Sequence, residues 1–335
     1  MPEQSNATAT AAGRGDPRVK ALRRFALSIT VFNVLGHLLL GFEQAYLTPV
    51  VGVLTGYTVE LVLETLEARA QGRPARYLGS PVALVNFLLP AHIAGLACAM
   101  LLYGNQSLWP TIFAVTVAVS SKYVVRLRVN GTLRHVLNPS NFGISTTLVL
   151  FSWVAIAPPY HFTEHVSGVL DVVIPVAILL AGAMLNGKLT RRMPLILGWL
   201  GGFVLQAVLR AVIFDAQLAA ALLPMTGVAF ILFTNYMITD PGTTPTAPRR
   251  QVVFGMTVAF VYGLLVVAHI TFGLFFALVI VCAMRGGLIL AANLRRRRRP
   301  SGPHGADPTG QVASSTPPAT ASAPMPVAAV RRSMS

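Results

Sequence analysis

Charge is what this sequence lacks most. Only 11% of its 335 residues are Asp, Glu, Lys or Arg, against about 25% in an ordinary soluble domain. A water-soluble fold of this length would have no adequate polar coat, and that class is excluded. Acidic side chains are scarcest: 11 Asp and Glu stand against 26 Lys and Arg, a formal balance of +15. Nucleic acid could draw such an excess, but here the basic residues fall in short clusters between apolar runs, so no nucleic-acid partner is expected. Cysteine is nearly absent. Cys98 and Cys282 each lie within an apolar run, without the spacing of a zinc or iron–sulfur site, and read as small buried hydrophobes. The sequence contains neither a Gly-rich phosphate loop nor a Ser nucleophile elbow.

Hydrophobic residues make up 54% of the chain, and mean hydropathy is +0.65. A spanning helix needs about 20 mainly apolar residues, because the hydrocarbon core is about 30 Å thick and each residue rises about 1.5 Å. Such runs occur near 25–41, 46–65, 82–103, 107–121, 140–157, 168–186, 193–213, 217–237, 252–269 and 271–293. Backbone polar groups in lipid must be satisfied within the element, and the runs are too long and uniform for barrel strands. The expected fold is therefore all-α: a polytopic integral membrane protein with about ten transmembrane helices.

Loop charges support that count and orient it. Basic residues cluster in the N-terminal tail, around Arg69 to Arg76, Lys122 to Arg134, Lys188 to Arg192, Arg249 and Arg250, and from Arg295 onward. The alternate connections, around Glu43, Asn105, Pro158 to His165, Asp215 and His269, have no Lys or Arg. By the positive-inside rule both termini face the cytoplasm, as in a multi-pass plasma-membrane protein whose main partner is the lipid bilayer. The first run lacks a small-residue cleavage site and reads as a retained helix. Residues 1–24 and 295–335 read as disordered cytoplasmic tails flanking a membrane domain at 25–294, the second tail being rich in Pro, Ala, Ser, Thr and Gly.

Ionisable groups inside the membrane are costly and point to function. Glu60 and Glu64 lie one turn apart on the second run. Arg285, beside Gly286 and Gly287, is a candidate partner for either. His37 and His92 can be proton carriers or hydrogen-bonded core residues. Arg210 can snorkel to headgroups or meet Asp215. Two junctions carry Asn or Asp before Pro, the arrangement that starts a helix: Asn138-Pro139-Ser140-Asn141, and Asp240-Pro241-Gly242-Thr243-Thr244. Both are placed on the cytoplasmic side, either as caps or as helix N-termini that take up an anionic group. His161, Glu164 and His165 match the H-x-x-E-H spacing of inverted zinc peptidases, but on a short Pro-started loop, which makes them weak metal candidates.

The stretch Phe230-Ile231-Leu232-Phe233-Thr234-Asn235-Tyr236-Met237-Ile238-Thr239-Asp240-Pro241 resembles the "T-D-P" segment of the RnfD/NqrB family, membrane subunits of ion-translocating ferredoxin and quinone oxidoreductases. Asn138-Pro139 resembles that family's "N-P-A" segment, with Ser140 in place of Ala. More closely, residues 16–294 resemble the UnbU-type membrane proteins encoded beside enediyne polyketide synthases in actinomycetes. The runs from Leu96 to Asn105, Pro158 to Glu164 and Asn235 to Pro245 carry that likeness.

The resemblance implies a redox or accessory subunit in enediyne antibiotic biosynthesis, working in electron transport with biosynthetic proteins or a redox partner. It places a cofactor at Asn138, Pro139, Ser140, Asn141, Asp240, Gly242, Thr243 and Thr244. RnfD and NqrB bind FMN covalently through a Thr in a D-x-x-S-x-A-T motif on a long outer insertion. The corresponding loop here is about residues 158–167 and lacks that motif, so covalent FMN is not expected and any flavin would bind noncovalently. The remaining candidates for intramembrane chemistry are Glu60, Glu64, His92 and Arg285. The alternatives to a redox subunit are an exporter of a hydrophobic product and a membrane scaffold for soluble enzymes.

Overall fold

A computed structural model describes residues 17–39, 41–42, 44–129, 132–157 and 167–298. The structure is built almost wholly of helices: α1 (Pro17–Leu38), α2 (Leu47–Ala70), α3 (Pro81–Leu101), α4 (Trp109–Val124), α5 (Pro139–Leu150), α6 (Val169–Met184), α7 (Met193–Phe214), α8 (Leu218–Leu222), α9 (Val228–Leu232), α10 (Pro248–Val267) and α11 (Gly273–Arg298). Two π-helical turns, Leu185–Thr190 and Phe233–Met237, extend α6 and α9. The strands are short. β1 (Leu102–Tyr103) pairs antiparallel with β4 (Ala155–Ile156), and β2 (Arg126–Val129) forms a hairpin with β3 (Thr132–His135). The helical structure reaches into both segments expected to be tails, since α1 begins at Pro17 and α11 runs to Arg298. The candidate metal residues His161, Glu164 and His165 lie outside the described residues.

Five of these helices are long and apolar enough to cross a bilayer: α2, α3, α7, α10 and α11. The segment from Leu218 to Met237 adds a sixth if it is one span bent by 63°. The fold is thus that of an all-α, membrane-embedded protein. Of the remaining segments, α5 is clearly shorter than its apolar run. α4 and α6 have 16 residues and α5 only 12, so α5 rises about 18 Å, well short of a bilayer core. It stops where Phe151 to Trp153 turn the chain into β4.

The solvation pattern is inverted relative to a soluble protein. Large apolar side chains such as Leu27, Leu54, Val62, Leu197, Val212 and Phe260 are exposed, while Asn33, Glu64, Thr147, Asn186 and Asn235 are buried. Lipid on the outer surface accounts for that arrangement.

Helices approach closely at small residues, because lipid provides no hydrophobic drive and packing must supply it. A Cβ at Gly95 of α3 would lie 2.6 Å from the Gly52 carbonyl of α2, and one at Gly143 of α5 would lie 2.2 Å from the Ala114 carbonyl of α4. α7 lies along α10 in the same way, through Gly198 and Gly255. Between them and α9, Trp199, Phe203, Phe230, Phe233 and Tyr262 form an aromatic core, with the Trp199 indole N–H donating to Thr234 Oγ1 at 2.9 Å.

Candidate functional site

Asn138 starts α5 as the sequence predicts. It is extended, its Oδ1 accepts from the Asn141 N–H at 3.0 Å, and Pro139 occupies the first helical turn. The Ser140 hydroxyl donates to the same oxygen at 3.1 Å. The other half of the Asn138 amide leaves the cap: Nδ2 donates to the Met237 carbonyl at 3.0 Å. That carbonyl lies at the end of the π turn Phe233–Met237, where it also accepts from the Asp240 N–H at 3.4 Å. The same turn is held from its other side, where Asn186 Nδ2 donates to the Asn235 carbonyl at 2.8 Å.

Asp240 does not start a helix, contrary to the sequence expectation. α10 begins later, at Pro248. Asp240 instead organises the turn after it. Its carbonyl accepts from the backbone N–H groups of Thr243 and Thr244 and from the Thr244 hydroxyl at 2.6 Å. Its carboxylate accepts from the Gly242 N–H at 3.0 Å and the Thr243 hydroxyl at 3.1 Å, and lies 3.5 Å from His135 Nε2. Burial raises the Asp240 pKa, but His135 and these donors outweigh it, so the carboxyl is held below its ordinary value. Gly242 lets His135 approach, since a Cβ would fall 2.3 Å from its Nε2 and displace the imidazole from the carboxylate.

Two arginines grip the turn. Arg285 Nη1 donates to the Thr243 carbonyl at 2.7 Å. Arg192 donates through Nη1 to the Pro245 carbonyl and through Nη2 to the Pro241 carbonyl at 3.5 Å. Arg191 adopts φ 53°, a left-handed conformation that ends the π turn and reverses the chain before α7. Arg192 follows directly and is only 4% exposed. Its Nε is buried and has no hydrogen-bond partner among the described residues.

Contacts along α11 give the depth of this junction. Asn141 Nδ2 donates to the Phe275 carbonyl, Val136 packs on Gly286, and Asn293 Nδ2 donates to the Arg128 carbonyl. Arg285 thus stands about 15 Å past Phe275 and about 12 Å short of Asn293 at a rise of about 1.5 Å per residue. The two Asx-Pro segments meet partway along a spanning helix, not at its end as loop charges alone would suggest.

The paired glutamates of α2 are engaged elsewhere. Glu60, buried, takes the part-buried Lys122 ammonium and the Tyr123 hydroxyl, the latter at 2.9 Å. Glu64, wholly buried, accepts from Arg73 at 2.6 Å and from Arg76 through its backbone N–H and Nε, both at 2.8 Å. Arg285 pairs with neither, which corrects the pairing expected from sequence. Arg210 likewise turns to Gln206, at 2.8 Å, and not to Asp215.

His92 lies between two hydroxyls, with Nε2 2.8 Å from Thr30 Oγ1 and Nδ1 2.9 Å from the Tyr57 hydroxyl. Thr30 gives its one hydroxyl hydrogen to the Ala26 carbonyl at 2.7 Å. Nε2 must therefore carry the ring proton, and Tyr57 donates to Nδ1. His92 pins α1, α2 and α3 together. His37 bonds the Asn33 carbonyl at 2.8 Å and packs on Phe42 and Tyr46. Cys98 and Cys282 are free and buried.

The site thus joins the predicted Asn138, Ser140, Asn141, Asp240, Gly242, Thr243, Thr244 and Arg285. It adds His135 and Arg192, which loop charge alone did not distinguish from topology signals. Glu60, Glu64 and His92 lie outside it. No protein-family model matches the chain, and no curated protein does.

Proposed function

We propose that this chain serves enediyne polyketide biosynthesis as a membrane-embedded, ligand-handling subunit of RnfD/NqrB type, without covalent FMN. The observation that carries the proposal is the Asn138–Met237 bond. The two segments that bear the family resemblance, far apart in the chain, are also the two that pack on each other at the buried junction. A flavin held there would be noncovalent, and Asn138, Ser140, Asn141 and the Asp240 turn are the groups in place to hold it.

The proposal includes ten passes with both termini inside. Several contacts support it by joining residues that this topology puts on one side: β1 with β4, Gln44 with the Met100 carbonyl, and Asn293 with the Arg128 carbonyl. Tyr46, Trp109 and Trp153, all exposed, fall on the side opposite the basic loops, as interfacial aromatics would.

A second reading, export of a hydrophobic product, draws on the interruption of two helices partway through the span. Transporters place substrate at such breaks. Deletion of the gene, with product measured inside and outside the cells, separates the two. The redox reading expects lost product, and purified protein whose flavin absorbance is released by acid and diminished by Asp240→Ala. Export expects product made but retained in the cells. An unchanged amount and distribution of product would reject both.

A further inference from the structure

The junction carries more positive charge than it neutralises. Arg192 and Arg285 both bond carbonyls of the turn from Pro241 to Pro245, and each lies within electrostatic range of a further arginine: Arg192 of Arg285 as well as of Asp240, and Arg285 of Arg134. Asp240 is the acid of this turn, and its carboxylate is already shared among Gly242, Thr243 and His135. Among the described residues neither Arg192 nor Arg285 has a carboxylate within ion-pair distance. Carbonyl dipoles satisfy some guanidinium hydrogens but leave the net charge in place. With one carboxylate among these arginines, the junction holds excess positive charge in a low-dielectric interior, which favours uptake of an anion.

The arginine with least exposure also keeps an unused donor. Arg192 is 4% exposed and its Nε–H has no partner among the described residues. The Gln251 amide, which donates to the Thr246 carbonyl at 3.1 Å, leaves its oxygen similarly unpaired. A planar guanidinium with a free Nε–H is suited to a tetrahedral oxyanion, which accepts along that edge.

We infer that Arg192 and Arg285 form a phosphoryl-binding site at the junction, taking the phosphate of either a bilayer lipid headgroup or a free phosphate ester. The inference rests on the reading that the junction holds a ligand, but not on the pathway that the ligand serves. Its test therefore fails separately from product profiling.

The full-length protein is purified into phosphatidylcholine nanodiscs and titrated with inorganic phosphate against matched chloride, following the unfolding temperature. In a parallel arm, discs containing phosphatidylglycerol are analysed by native mass spectrometry for retained lipid. The expected result is a saturable stabilisation by phosphate that Arg285→Gln weakens about ten- to hundred-fold, the range for a charged hydrogen bond. Arg192→Lys, which keeps the charge but loses the fork, should weaken it similarly. Retained phosphatidylglycerol, lost in Arg285→Gln and not displaced by phosphate, would assign the site to a lipid headgroup. The general salting effect of phosphate acts on wild type and variant alike and cancels. A wild type that responds to neither probe, or an Arg285→Gln protein that responds as wild type does, overturns the site. If Arg192→Lys fails to fold, Arg285→Gln decides alone.

Discussion

The side-chain amide of Asn138 faces two ways: its oxygen caps α5 through the Asn141 N–H at 3.0 Å, and its nitrogen donates to the Met237 carbonyl, also at 3.0 Å. One residue therefore joins a helix start to the end of a π turn 99 positions later. The two roles can be separated by substitution.

Asn138→Ser keeps a capping oxygen and loses the donor to Met237, whereas Asn138→Ala loses both. Losing a cap costs about 1 kcal/mol, and losing one hydrogen bond to a carbonyl that keeps the Asp240 N–H costs about 1 more. The expected order of thermal stability in detergent is wild type, then Asn138→Ser, then Asn138→Ala. Equal stability of all three would show that the bond contributes nothing.

The Glu60–Lys122 pair joins a buried carboxylate to a largely buried ammonium. Breaking such a pair from one side costs about 3–5 kcal/mol, because it strands a charge, while removing both charges can be nearly neutral. Glu60→Gln and Lys122→Met should each destabilise strongly, and the double variant should recover most of the loss. Additive losses in the cycle would contradict an ion pair.

Glycine at 143 is needed because the Ala114 carbonyl lies 2.2 Å from where a Cβ would stand. Gly143→Ala forces α4 and α5 apart, at an overpacking cost of about 1–3 kcal/mol. Gly201, on α7, has nothing within 4 Å of its Cβ position. Gly201→Ala should match or exceed wild-type stability, since alanine is the better helix former. Comparing the folded yield and unfolding temperature of the two variants checks the contrast.

The depressed pKa of Asp240 has a definite sign. A carboxyl whose folded pKa lies below its unfolded value of about 3.9 stabilises the fold above that pH, and the contribution is lost as pH falls through the folded value. The unfolding temperature of wild type should fall below about pH 4, while Asp240→Asn starts lower and varies less across that window. Parallel acid limbs for the two proteins would remove Asp240 from this role.

Hydropathy alone identified the membrane class, and each apolar run does contain a helix, because an apolar segment in lipid must satisfy its own backbone. The cap at Asn138 was legible for a similar reason: it is closed by a residue three positions away. So was the burial of Cys98 and Cys282. The partners of Glu60, Glu64 and Arg285 were not legible. Arg285 could reach several groups by depth and charge, and only the packing of α11 against the 240–245 turn selected the Thr243 carbonyl. Asp240-Pro241 carries the same local signal as Asn138-Pro139, yet it forms a turn, because His135, Arg192 and Arg285 take up the groups around it. Basic residues in loops look alike in a one-dimensional charge pattern. That Arg192 is buried and keeps a free Nε–H depends on the left-handed turn at Arg191 and on a loop 49 to 53 residues away, which only the tertiary structure brings to it.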